Sequence, residues 1–219
     1  MNLVQFIDQK GKRRVGLVVG ASIIVLKKAA TTLDLARLAL AEGKKLAAMA
    51  SSLAGTSTED YAAALKEKRV LTPVDHPDPA HCIITGTGLT HLGSASARDG
   101  MHKKLSGASE ELTDSLKMFK MGLEGGKPKA KGEAGVQPEW FYKGDGSWLV
   151  GPGQPLPKPS FALDGGEEPE LAGLYMIDAK GRPVRLGFAL GNEYSDHVTE
   201  RQNYLYLAHS KLRHSSIGP

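Results

Sequence analysis

The sequence is short of cysteine, of long apolar runs and of surplus charge. One cysteine in 219 residues, Cys82, excludes a disulfide framework and a zinc site built on thiolates. The longest apolar stretch, VGLVVGASIIVL at Val15 to Leu26, falls short of the roughly 20 residues a membrane span requires. MNLVQFIDQKGKRR precedes it and no small-residue cleavage site follows, which argues against a secretory signal. The net charge is +4, and the densest basic cluster, KPKAKG at Lys127 to Gly132, lies among glycines. A nucleic-acid binder concentrates its basic residues on one face or in one run. These absences leave a cytoplasmic protein with neither a membrane nor a nucleic acid as partner. With 41% apolar and 24% charged residues, the composition is that of a globular chain.

The first thirty residues read as short strands, LVQFID, RVGLVVG and SIIVLKK, separated by QKGK and GAS. TTLDLARLALAEGKKLAAMASSLAG spaces its apolar residues as a helix does, with Gly43 as a break. TSTEDYAAALKEK opens with Thr56 and Glu59 at capping-box spacing, which predicts a second helix from there. RVLTPVDHPDP is extended, because its prolines disfavour helix. HCIIT reads as a buried strand and SEELTDSLKMFKMGLE as a helix. From Glu139 onwards, aromatics, prolines and closely spaced turn signals indicate a β-rich part. A final amphipathic helix, DHVTERQNYLYLAHSK, follows Ser195. The expected fold is α+β: a small αβ domain over residues 1–70, then a β-rich body over 71–219.

EEPELAG, Glu167 to Gly173, precedes the apolar run LYMI. On a strand, Glu168 and Glu170 share a face, roughly 6.5–7 Å apart at Cα. A turn around Lys180-Gly181 would pair residues whose numbers sum to about 360, placing position 168 opposite about 192 and Glu193 near the first two glutamates. Three carboxylates favour Mg²⁺, Mn²⁺ or Ca²⁺ over zinc. Lys211, in HSKLRHSS, would offset the surplus negative charge if it folded back over them. Spacing alone favours the plainer reading, a set of glutamates at strand ends and a surface lysine. GTG at Gly86 to Gly88 lacks the third glycine of a dinucleotide fingerprint. GDGSW lacks the spacing of a calcium loop.

Five segments, in order, resemble the fumarylacetoacetate hydrolase superfamily. VDHPDPAHCIITGTGLTHLGSA is similar to its strand-and-loop signature and WFYKGDGSWLVGPGQPLPKP to its Phe-x-Lys and Gly-Pro segment. EEPELAG resembles its Glu-x-Glu metal pair, GFALGNEYSDH the segment of the third acidic ligand, and HSK the segment of its lysine. The details resemble a bacterial sugar-acid branch associated with arabinonate-type pathways. The resemblance implies a mixed β-roll body, here ending at SSIGP before the strands that complete such a roll. It implies Glu168, Glu170 and Glu193 as ligands of Mg²⁺ (or Mn²⁺), and Lys211 and His91 as catalytic groups. Lys143 and Phe141 would contact substrate. His102, in ARDGMHKK, is a second catalytic candidate. The family's Asn-Tyr before the histidine is here GLT, and Ser94 replaces a glutamate found in many members, so water activation by His91 departs from the pattern.

The implied reaction is that of a 2-oxo acid: dehydration of a 2-keto-3-deoxy sugar acid, or hydrolysis of a C–C bond in a diketo acid. Open sheet edges invite self-association, and a homodimer is expected. The alternative is an inactive fragment or a non-catalytic binding module that keeps the shape.

Overall fold

A computed structural model describes residues 1–87, 100, 103, 105, 106, 112 and 114–219. His91, Ser94 and His102 lie outside the described residues. The chain divides into two units, one of Met1–Ile84 with Lys143–Pro219, the other of Thr85–Tyr142.

The first unit opens with an antiparallel sheet of β1 (Asn2–Ile7), β2 (Arg13–Val19), β3 (Ser22–Leu26) and β4 (Ala54–Asp60), paired in that order. Helices α1 (Thr32–Ala41) and α2 (Leu46–Ser52) connect β3 to β4. Thr31 caps α1 by accepting from the Asp34 amide at 3.0 Å, and Gly43 at φ 62° separates the two helices. Val15, Leu17, Leu26, Leu35, Ala39 and Met49 form one buried cluster, and Val4, Phe6, Ile23, Ala64 and Val70 a second.

The helix expected from Thr56 starts later. Residues 54–60 are strand, and α3 covers only Tyr61–Lys66. Thr58 and Glu59 pair with Ile24 and Ile23 in the sheet. Glu59 therefore closes no capping box; it meets Arg69 Nη1 at 2.6 Å. Asp60 takes over the cap, accepting from the Ala63 amide at 2.6 Å. Cross-strand pairing overrides the local helix signal here. HCIIT is also altered: Pro79–His81 forms a 3-10 turn and β5 (Ile83–Thr87) is half-exposed, burying Ile84 and Gly86 but not Ile83.

The second sheet runs β7 (Leu149–Val150), β10 (Ser215–Ile217), β9 (Pro183–Asn192), β8 (Pro169–Ile177). β10 is parallel to β7 and antiparallel to β9. The β8–β9 turn repeats the β1–β2 turn in sequence and in bonding. In DQKGK, Asp8 Oδ1 accepts from the Lys10 and Lys12 amides at 2.9 and 2.8 Å. In DAKGR, Asp178 Oδ1 accepts from the Lys180 and Arg182 amides at 2.8 and 2.9 Å. Gly11 and Gly181 both sit at φ 73°, a conformation that favours glycine.

The last helix is also broken. α5 (His197–Gln202), a 3-10 turn at Tyr204–Tyr206 and α6 (Leu207–Lys211) replace one continuous element. Asn203, extended at φ −162° and ψ 135°, separates them. In the second unit, α4 (Asp114–Gly125) buries Leu116 and Phe119. β6 (Trp140–Asp145) carries Phe141, which is buried, in that unit and Lys143 in the first. No helix among the described residues is long and apolar enough to cross a membrane.

Gln5 joins three parts of the first unit. Fully buried, it donates from Nε2 to the Thr72 carbonyl at 2.7 Å, and its Oε1 accepts from the Thr32 amide at 2.7 Å. The Thr32 amide is one of the donors a helix start leaves without an intrahelical partner. Gln5→Leu would bury both backbone groups unpaired, at about 1–3 kcal/mol each. Urea unfolding is expected to show about 2–6 kcal/mol lost with an unchanged slope; a loss below roughly 0.5 kcal/mol would contradict this role.

Candidate metal centre

The hairpin β8–β9 places the glutamates, and a bulge decides which face they share. Near the turn, Ile177 pairs with Pro183 and Tyr175 with Arg185, so partner numbers sum to 360. Between Leu174 and Tyr175 the register shifts, and Leu174 pairs with Gly187. Leu186 is the extra residue, and every pair beyond it sums to 361, including Glu170 with Gly191. Past the strand ends the ladder continues, with the Glu193 amide donating to the Glu168 carbonyl at 2.8 Å. Glu193 thus stands opposite Glu168. Without the bulge Asn192 would stand there, and Glu193 would face the other side, because side chains alternate along a strand.

One oxygen from each of Glu168, Glu170 and Glu193 lies within 4.8 Å of the others. Glu170 is exposed, and Glu168 and Glu193 are half-buried. Lys211, buried at the end of α6, reaches in among them. Its Nζ lies 2.5 Å from Glu168 Oε1, 3.2 Å from Glu193 Oε1 and 3.8 Å from Glu200 Oε2. Glu193 Oε1 is at ion-pair range from Lys211, yet it is buried with no hydrogen-bond partner among the described residues.

Burial raises the Glu193 carboxyl above the usual range, against the pull of the Lys211 charge. Glu168 goes the other way: burial acts to raise it, but the hydrogen bonds from Lys211 and His197 outweigh that and lower it. For Lys211, burial acts to lower the pKa. The Glu168 hydrogen bond and the charges of Glu193, Glu168 and Glu200 prevail, and the group is held as an ammonium above its ordinary value. Lys143 is the opposite case, pulled down to about 8 by burial foremost, with the charge of Lys211 adding to the effect.

Two buried groups hold this segment in place. Lys143 Nζ donates to the carbonyls of Tyr194 at 2.6 Å and Lys211 at 3.0 Å, tying the residue after Glu193 to the lysine. Asp196 is fully buried and caps α5, its Oδ1 accepting from the Thr199 amide at 3.0 Å. Its Oδ2 accepts from the Leu163 amide at 2.9 Å, the Thr199 hydroxyl at 2.9 Å and Arg213 Nη2 at 3.3 Å. Its own amide donates to the Ser210 carbonyl at 3.1 Å.

The structure therefore gathers Glu168, Glu170, Glu193 and Lys211 at one place, with Lys143 bonded to the backbone beside it. Phe141 belongs to the other unit. Sequence reasoning passed over His197, whose Nε2 lies 2.9 Å from Glu168 Oε1, and Glu200. Both sit in SDHVTE, Ser195 to Glu200, two residues past Glu193, where the Asp196 cap and Thr199 three residues on mark a helix start.

The donor set fits a hard divalent cation. It is all oxygen, it converges from two strands, and one buried oxygen lacks a hydrogen bond. Three carboxylates and the Lys211 ammonium would be neutral with one dication.

Among solved structures, the chain is similar over its whole length to 2-keto-3-deoxy-D-arabinonate dehydratase in its apo form, at 22% identity and TM-score 0.62. It is similar to the same enzyme complexed with magnesium and 2,5-dioxopentanoate, at 22% identity and TM-score 0.61. A 5-carboxymethyl-2-hydroxymuconate delta-isomerase from Mycobacterium smegmatis is also similar over the whole chain, at 15% identity and TM-score 0.51. The chain spans 65% of the length of each of these structures. No family model and no curated protein matches it. These likenesses show the fold, and it is the α+β fold expected from the sequence.

The Asp196 carboxyl gives a pH test of the scaffold. Burial acts to raise its pKa, but the Thr199 and Leu163 amides, the Thr199 hydroxyl and Arg213 outweigh burial and hold it at about 2. A depressed carboxyl pKa contributes stability that is present above the unfolded value and is lost as pH falls through the folded one. Asp196→Asn leaves Arg213 buried and uncompensated, a loss of about 3–5 kcal/mol at neutral pH. Denaturant titrations should show the gap between wild type and variant narrowing as pH falls from about 4 to about 2. A gap independent of pH would refute the assignment.

Proposed function

We propose that this chain carries the site of a divalent-cation-dependent enzyme acting on a 2-oxo acid, and that its reaction is dehydration of a 2-keto-3-deoxy sugar acid. The observation that carries this reading is the convergence of Glu168, Glu170 and Glu193, with the Lys211 ammonium at ion-pair range of Glu168 and Glu193. The shared fold with a dehydratase solved with magnesium and 2,5-dioxopentanoate supports it.

Glu168, Glu170 and Glu193 would hold Mg²⁺ or Mn²⁺. When bound, that cation supplies Lewis-acid polarisation of a substrate's carboxylate and keto oxygens, which acidifies the neighbouring C–H. The chain's own groups supply the rest. The Glu168 hydrogen bond and the neighbouring carboxylate charges favour the ammonium form of Lys211, which suits it to the role of a charge partner. An ammonium beside the bound acid attracts its carboxylate and stabilises negative charge developing on its keto oxygen. Lys143 commits two of its three donors to carbonyls and has one for a substrate oxygen.

Two substitutions test the reading on different readouts. Calorimetric titration of Mg²⁺ or Mn²⁺ should show binding to the wild type and its loss, or a large weakening, in Glu170→Ala. Equal binding in both would exclude the triad as the cation site. Lys211→Met should bind the cation at least as tightly, because a competing positive charge is gone. Its turnover of 2-keto-3-deoxy sugar acids should fall by roughly 10²–10³-fold. Turnover within a few fold of wild type would rule out a chemical role for Lys211, and cation binding without any turnover in the wild type would favour a binding module.

A further inference from the structure

We propose that His197 is a positioning residue that sets the orientation of the Glu168 carboxylate, and that Gly166 is the seat its ring requires. The proposal rests on the reading of the glutamate triad as a cation site and adds a residue to it.

His197 is the first residue of α5, directly after the Asp196 cap. Its Nε2 lies 2.9 Å from Glu168 Oε1. An ionised carboxylate only accepts, so Nε2 carries the hydrogen and donates it. The other ring nitrogen, Nδ1, faces Asp164 Oδ2 at 3.9 Å, beyond hydrogen-bond reach. Lys211 donates to the same Glu168 oxygen at 2.5 Å. Lys211 also serves Glu193 and Glu200, so its ammonium answers to three carboxylates. The imidazole makes its one close contact within the triad to Glu168. The ammonium is shared among three carboxylates and the imidazole is not, so the imidazole is the donor that fixes the rotation of this carboxylate.

Gly166 supplies the second, independent observation. A Cβ built there would stand 2.3 Å from His197 Nδ1, 2.5 Å from Cε1 and 3.0 Å from Cγ. The backbone cannot retreat easily, because Gly166 and Ser195 exchange amide-to-carbonyl bonds of 2.8 and 2.9 Å. The φ of Gly166 is not in the left-handed region, so the backbone itself does not call for glycine. What the missing side chain admits is the ring. Groups that orient ligating carboxylates are worth about 10–100-fold in metal affinity.

The test uses Mn²⁺ binding measured by calorimetry, with thermal unfolding to confirm that each variant is folded. His197→Leu is expected to weaken Mn²⁺ binding by about 10–100-fold. His197→Gln, whose amide nitrogen can donate from near the Nε2 position, should recover affinity to within a few fold. Gly166→Ala should match His197→Leu, and the double variant should be no worse than either, since both remove the same contact. If the wild type binds Mn²⁺ and Glu170→Ala does not, while His197→Leu binds like wild type, the triad stands and the His197 proposal is overturned. Equal loss in His197→Leu and His197→Gln overturns it too, because packing rather than the donated hydrogen would then be responsible. No binding by the wild type removes both the triad and the proposal. Nitrogen NMR of the imidazole reads the contact without any metal: hydrogen on Nε2 is expected, and a bare Nε2 overturns the proposal. If the Leu and Ala variants fail to fold, His197→Gln and the NMR reading decide.

Discussion

Gathering like charges is the constraint around which this structure is arranged. Carboxylates a few ångströms apart repel by roughly 3–4 kcal/mol per pair at the effective dielectric of a protein surface. Half-burying two of them adds a desolvation cost, visible in the raised pKa of Glu193. The Lys211 ammonium offsets part of this, and only because it is fixed where three carboxylates can reach it. A lysine ending a helix is ordinarily a solvated charge worth a few tenths of a kcal/mol. Here it is buried and commits its charge to the glutamates instead.

That placement depends on groups that touch no glutamate of the triad. Asp196 and Arg213 form a buried pair at the two ends of the segment from α5 to α6. Lys143 then binds the carbonyls of Tyr194 and Lys211 from a third element. The broken helix follows from the same requirement. A straight helix from Asp196 to Lys211 would span about 22 Å at 1.5 Å per residue. The extended Asn203 lets α6 turn back, so that the Ser210 carbonyl meets the Asp196 amide.

Much of the candidate site was legible because the turn chemistry was. DAKGR announces the β8–β9 turn, and the Glu-x-Glu alternation leading into β8 puts two carboxylates on one face. What local pattern could not supply was the bulge at Leu186. Counting back from the turn puts Asn192 opposite Glu168, yet one inserted residue moves Glu193 there and onto the shared face. The expectation that Glu193 lies close to the pair relied on proximity along the chain, while the structure achieves it by a change of register. The Thr56 to Glu59 signal misled for a related reason. A capping box is a local preference, and pairing with Ile23 and Ile24 is a tertiary one that outweighs it. His197 was passed over because nothing along the chain relates it to Glu168, 29 residues away.

The charges of the site bear on the order in which it could be filled. With Glu168, Glu170 and Glu193 ionised and Lys211 protonated, these four groups leave a surplus of two negative charges, before Glu200 is counted. A 2-oxo acid is itself an anion, and this set of charges repels it. One dication among the carboxylates removes that surplus, so the acid no longer meets a net negative site and the Lys211 ammonium attracts it. Under the proposed function, cation binding should therefore precede acid binding. The affinity for the acid would then be negligible without the cation. The Lys211 ammonium makes that order workable: without it, a single dication would leave the triad negative and the acid still opposed.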